Sequence, residues 1–204
     1  MKKILFLLLL VSSGVFAQKV EHGMLIGSGL GFPMQDKSVI SPENDYFDHQ
    51  LKGNGMIGYR LRFMPENKSF FDVDLSLGFQ GMQTKRSPYG LTGVGNNYTG
   101  NGNTMKEFVF PISITAGWNY RLSDKFYCGL GVAPTLYVQP RAVFDLGILA
   151  KVGYQVSKHC ELALSYQYGC FNVLKDFNID AGNKGRKGHL SDLMFSVYIP
   201  FSVK

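Results

Sequence analysis

Apolar and small or polar residues alternate with a period of two in eight separate runs, and no apolar face in those runs carries a charge. The run from Phe71 to Phe79 is the clearest. Phe71, Val73, Leu75, Leu77 and Phe79 share one face; Asp72, Asp74, Ser76 and Gly78 share the other. Successive side chains of a strand point to opposite faces, so this spacing predicts strands with one apolar side. Ile57, Tyr59, Leu61 and Phe63 repeat the pattern opposite Met56, Gly58, Arg60 and Arg62. It recurs in the runs through Phe108–Tyr120, Tyr127–Leu136, Phe144–Tyr154, Glu161–Tyr168 and Leu193–Ser202. The first run, Met24, Ile26, Leu30 and Phe32 against Gly23, Gly27, Gly29 and Gly31, is the weakest. No apolar stripe of helical period occurs beyond residue 20.

A soluble β-sandwich also alternates. Two features argue against it. An uncharged face is what hydrocarbon demands, because an outward Lys or Arg costs about 2–4 kcal/mol at a bilayer midplane. The opposite face is rich in Gly, Ala and Ser rather than in Lys and Glu. Small residues suit the crowded interior of a narrow barrel, which about eight strands leave just wide enough for side chains. The expected fold is therefore all-β: an eight-stranded antiparallel, transmembrane, up-and-down β-barrel.

The connections agree. Residues 65–68, 121–125, 139–142 and 155–159 are short, whereas 33–54, 81–105 and 172–189 are long and polar. Short turns on one rim and mostly long loops on the other are the outer-membrane arrangement, with the termini on the short-turn, periplasmic side. Aromatic residues collect near run ends. Phe63, Phe71, Trp118, Tyr120, Phe126, Tyr154 and Phe201 would ring the periplasmic rim; Phe79, Phe108, Phe110, Phe144 and Tyr168 would ring the outer one. Pro111, Pro134 and Pro200 fall inside expected strands, so bulges or shifted strand ends are expected there.

Residues 1–17 read as a cleaved signal peptide: Lys2 and Lys3, the apolar run Ile4–Val11, then Val15-Phe16-Ala17 before Gln18. That apolar run is too short to span a bilayer as a helix. Residues 18–204 then form one barrel domain. Its basic excess is small and interspersed, which is no nucleic-acid footprint. Cys128, Cys160 and Cys170 form no disulfide framework and no metal spacing, and read as small apolar residues.

Register suggests a charged lumen. If Phe63 pairs with Phe71, Arg62 faces Asp72 and Arg60 faces Asp74, with Glu161 near Lys151 across the following turn. Buried charges need partners, so these six residues read as barrel-filling salt bridges, the alternative being an ion path. Lys184, Arg186 and Lys187 in the last long loop, with Lys85 and Arg86 in the second, could meet lipopolysaccharide phosphates. His189, Ser191 and Asp192 are a weak echo of a rim-site hydrolase. No catalytic residue, metal ligand or cofactor is assigned. The expected partners are outer-membrane lipid and lipopolysaccharide, no nucleic acid, and an unidentified extracellular or periplasmic protein.

Phe108-Val109-Phe110-Pro111-Ile112 through Tyr120, Phe126-Tyr127-Cys128-Gly129-Leu130 through Thr135, and the pair Phe144–Tyr154 and Leu162–Tyr168 resemble the outer membrane protein β-barrel domain, a porin-like family of small barrels. The resemblance spans roughly residues 20–203; it implies an outer-membrane barrel, often of unknown role, and supplies no catalytic residues to carry over. The chain ends Phe201-Ser202-Val203-Lys204, without the terminal aromatic common in such families. The expected function is a non-enzymatic integral outer-membrane protein, structural, adhesive or envelope-associated, with surface loops 33–54, 81–105 and 172–189. The alternatives are a narrow porin-like channel and a lipid-modifying enzyme.

Overall fold

The computed structural model describes residues 19–35, 46–87, 104–139, 141–177 and 188–201. The expected signal peptide lies outside the described residues. The strands are β1 (Val20–Gln35), β2 (Tyr46–Phe63), β3 (Ser69–Ser87), β4 (Thr104–Val109), β5 (Pro111–Arg121), β6 (Phe126–Tyr137), β7 (Val143–Ser157), β8 (Cys160–Gly169) and β9 (Gly188–Pro200). A single-turn helix, α1 (Leu174–Phe177), precedes β9.

Every pairing is antiparallel, and β1 pairs with β9 while β2 pairs with β3, so the sheet closes. β4 and β5 form one stave. Gln80 opposes Val109 and Leu77 opposes Ile112, one continuous register interrupted only at Phe110 and Pro111. The barrel thus has eight staves, as the eight alternating runs require, and among the described residues no second sheet packs on it.

The alternation sorts the side chains as the period predicts. Leu75, Leu77, Phe79, Ile114, Leu130, Ile148 and Phe195 are exposed on the exterior. Leu130 is 63% exposed, whereas Ala133, three residues along the same strand, is wholly buried. A soluble fold would bury this much apolar surface; a lipid-facing belt exposes it. All twelve rim aromatics lie on the outer face of the wall. Phe126 and Tyr154 pack at 4.7 Å between centroids, and Tyr59, His22 and Phe201 cluster at the short-turn end, where the Tyr59 hydroxyl meets His22 Nδ1 at 2.7 Å.

Two expectations need correction. First, the strands outrun the expected loop boundaries: β1 reaches Gln35, β2 begins at Tyr46, β3 reaches Ser87 and β4 begins at Thr104. Asp48 opposes Lys85, His49 opposes Thr84 and Gln83 opposes Lys106. Beyond the hydrocarbon no apolar face is needed, so polar ladders continue without the alternation that marks them lower down. Second, the turn after β7 is Lys158-His159 rather than 155–159. Of the two forms expected at the prolines, strand ends occur at Pro111 and Pro200, while the register shifts fall elsewhere, at Leu51/Asn54 and Gln155/Ser157. Pro111 opens β5 and Pro200 closes β9, sites where a missing N–H does least harm. Pro134 keeps its pairing with Leu146 on β7, while the β5 ladder lapses beside it.

Candidate functional site

The polar faces of β2, β3, β6, β7, β8 and β9 converge in the lower lumen. Arg60 and Arg62 sit two residues apart on β2, and each meets the β3 residue directly opposite. Arg60 Nε and Nη2 donate to the two oxygens of Asp74 at 2.7 and 2.9 Å. Arg62 Nε and Nη2 donate to Asp72 at 2.8 and 3.2 Å. Both are two-point contacts of the planar guanidinium with a carboxylate, a geometry Lys cannot supply.

Glu161 on β8 reaches across the lumen. It accepts from Arg62 Nη1 at 2.6 Å, from Arg62 Nη2 at 2.9 Å and from the Tyr127 hydroxyl at 2.5 Å. Arg60 Nη1 adds a longer bond at 3.3 Å. Lys151 on β7 donates to Asp72 Oδ2 at 2.7 Å. Arg60, Arg62 and Lys151 therefore balance Asp72, Asp74 and Glu161, all six buried. The two strand-register pairs form as expected. The expected Glu161–Lys151 pair does not. In the β7–β8 register Gln155 opposes Glu161 and Lys151 opposes Ser165, so the two side chains sit at different heights and each takes a partner from β2 or β3.

Aromatic rings complete this layer. The Arg62 guanidinium lies 4.5 Å from the Phe70 ring centre and 5.1 Å from that of Tyr198; Arg60 lies 5.0 Å from Tyr198. Such stacking suits weakly hydrated guanidinium groups. Phe70 and Tyr127 meet edge to face at 5.2 Å. Tyr127 has room because Gly153 faces it across the β6–β7 pairing; a Cβ there would enter the ring. Phe70, Tyr127 and Tyr198 carry no charge and were missed as members of the cluster. Their position on the lumen parity of their strands was the available signal.

Above this layer lies a chamber of about 90 Å³, lined by Asn54, Ser76, Gln80, Thr135, Gln167 and Asp192 together with Leu25, Met56, Leu149 and Met194. Asp192 Oδ1 accepts from Asn54 Nδ2 at 2.8 Å and from Gln80 Nε2 at 3.0 Å. That volume accommodates a few waters rather than a continuous aqueous path. Below the layer a vestibule of about 690 Å³ opens at the short-turn rim, lined by Glu21, Arg62, Arg121, Gln155, Lys158 and Glu161 among others.

The outer mouth is closed differently. Val173, Leu174 and Phe177 turn inward and pack on Met82, Val109, Tyr137 and Leu190. Phe177 meets Tyr137 edge to face at 5.5 Å. Residues 172–189 read as a polar surface loop; their first part is instead an apolar stopper. One turn of helix is too short to show an amphipathic period, which is why the sequence pattern hides it.

Other expected sites fare variously. Lys184, Arg186 and Lys187 lie outside the described residues, as do the side chains of Lys85 and Arg86. His189, Ser191 and Asp192 do not assemble. Asp192 lines the chamber, whereas His189 and Ser191 lie on the alternate face of β9, and neither Ser191 Oγ nor His189 Nδ1 has a hydrogen-bond partner among the described residues. His189 stacks instead on Tyr168 at 5.6 Å. The three cysteines are free and half-buried.

An even number of antiparallel staves, an uncharged exterior, aromatic rims, and short turns on the rim that carries the first and last strand ends now stand together. The molecule is an integral membrane β-barrel of the outer-membrane type.

Scanned against protein-family models, the chain matches none. No curated protein matches it. Among solved structures the barrel is similar to the outer membrane protein OprG from Pseudomonas aeruginosa, with TM-score 0.47, 11% identity and coverage of 90% of this chain and 95% of that one. It is also similar to the translocator domain of the autotransporter NalP from Neisseria meningitidis, with TM-score 0.35, 9% identity and coverage of 93% and 92%. A third is OmpT, an outer membrane protein of Vibrio cholerae, with TM-score 0.24, 12% identity and coverage of 91% and 98%. At such scores the likeness carries no argument; belt, rims and closure of the barrel itself do.

Proposed function

We propose that this chain is an exported, non-enzymatic resident of the Gram-negative outer membrane, a closed stave barrel that displays its long loops outward. The carrying observation is the filled lumen. Six mutually paired charges and three aromatic rings block its lower half, and Val173, Leu174 and Phe177 block its outer mouth. A charge-neutral layer whose six charges are all paired has little free-energy incentive to open to ions. This supports a structural or display role over a conducting one.

Removal of residues 1–17 during export, and contact of Lys184, Arg186 and Lys187 with lipopolysaccharide phosphate, belong to the same reading and rest on the sequence.

Purified mature protein is to be refolded into lipid vesicles and run on gels with and without boiling. It is expected to insert and to migrate faster unboiled; a product that stays in the water-soluble fraction sinks the membrane reading. In planar bilayers it is expected to give no current steps. Reproducible steps would replace the display role with that of a narrow channel. Release of labelled acyl chains from refolded protein and phospholipid would reinstate the enzymatic alternative.

A further inference from the structure

Barrel lumens of this class are polar, yet the outer mouth here is an apolar seat. Met82, Val109, Tyr137 and Leu190 come from four different staves, and their inward faces are covered by residues of this same chain. The occupant is one helical turn, Leu174–Phe177. A turn that short does not hold itself together. Its place depends on the seat and on the root of the segment.

The root is specific. Asp145 on β7 is completely buried. Its Oδ1 accepts the backbone N–H of Phe171 at 2.9 Å and that of Leu146 at 2.8 Å. Cys170 N donates to Leu146 O at 2.9 Å, and Asn172 Oδ1 accepts from Gly188 N at 2.6 Å. Asp145 meets no Lys or Arg among the described residues. The lower lumen joins every carboxylate to a cation; this one instead holds a loop by its backbone.

We propose that Asp145 is a latch and that Phe171–Phe177 is a displaceable stopper. Loss of the Asp145–Phe171 bond frees α1 from its seat and joins the chamber beside Asp192 to the outside. The ionic layer below stays shut. The barrel is then a gated blind pocket rather than a through-channel. Among the described residues few backbone bonds tie the segment down, so it belongs to the part of the molecule that opens locally without unfolding the wall. This goes beyond the display role and rests on the lumen contacts alone.

The test is thiol protection in the full mature chain, refolded in vesicles, with Cys128, Cys160 and Cys170 replaced by Ser. Leu174→Cys is treated with a membrane-impermeant maleimide, and Arg141→Cys on the exposed β6–β7 link serves as the accessible reference. With Asp145 present, Leu174→Cys is expected to react at least roughly tenfold more slowly than the reference. Asp145→Ala and, separately, Phe177→Ala are expected to bring its rate to within about threefold of the reference while unboiled gel mobility is kept. Asp145→Asn retains an acceptor oxygen and is expected to stay slow.

Fast labelling of Leu174→Cys with Asp145 and Phe177 both intact overturns the stopper. Fast labelling with Phe177→Ala but not with Asp145→Ala overturns the latch. Slow labelling in both overturns displacement. If Asp145→Ala does not fold, Phe177→Ala decides the stopper on its own. Current steps through Asp145→Ala in planar bilayers would overturn the blind pocket. The protection ratio compares folded barrels, so it fails or holds independently of what the loops display.

Discussion

Arg62 shows what a single residue can carry in this lumen. It contacts two carboxylates, Asp72 and Glu161, and lies over the rings of Phe70 and Tyr198. Removing it leaves two buried carboxylates under-paired. Arg62→Ala is therefore expected to lower stability by about 3–5 kcal/mol, read as a shift in the urea midpoint of vesicle-refolded protein. Arg62→Lys keeps the charge but loses the two-point contacts, and is expected to recover only part of that. The pair Arg60→Met with Asp74→Leu removes both partners at once and is expected to cost far less than either change alone. Additive losses would show that the two residues are not coupled. Gly153 is the second telling residue. Its replacement by Ala drives a methyl into the buried Tyr127 ring, and an overpacked site of this kind costs about 1–3 kcal/mol in the same assay.

At the scale of the element, β3 is read twice over. Its odd positions from Phe71 to Phe79 face lipid and its even positions from Phe70 to Gln80 face the lumen. Leu75→Lys is expected to cost about 2–4 kcal/mol in bilayer unfolding, whereas Leu75→Phe, which stays apolar, is expected to be nearly neutral. Equal losses would mean that the site is packed rather than lipid-facing. The turn between β2 and β3 stores a small strain. Met64 adopts φ 56°, a left-handed conformation that costs a side-chain-bearing residue about 1–2 kcal/mol. Met64→Gly relieves it and is expected to raise the urea midpoint; a lowered midpoint would show that the Met64 side chain contributes more than the strain removes.

On the whole-molecule scale, two unlike closures act in series along one lumen. The lower is ionic across four staves, six with Tyr127 and Tyr198, so it is part of what holds the wall circular. The upper is apolar, comes from one connection, and among the described residues meets the seat of Met82, Val109, Tyr137 and Leu190 and hydrogen bonds to Asp145 and Asn172. Changes to the lower closure should therefore appear as loss of folded barrel, and changes to the upper as altered accessibility in a barrel that still resists the cold gel. If Phe177→Ala lowered the urea midpoint as much as Arg62→Ala, the two would not be separate devices.

The staves, their lipid and lumen faces, and the Arg60–Asp74 and Arg62–Asp72 pairs were readable in the chain because each follows from parity and from one tight turn. A period of two assigns faces, and a turn at Met64–Lys68 fixes which residue opposes which. Partners brought together across the barrel had no such local signal. Glu161 meets Arg62 and Tyr127, and Lys151 meets Asp72, only because closure sets the heights of distant staves. The stopper was invisible for the same reason. Val173, Leu174 and Phe177 are apolar residues in a polar stretch, and their meaning depends on Met82, Val109 and Leu190, which lie near them only once the wall has closed. Short-range periodicity encodes which way a side chain points; what it meets there is set by the circumference.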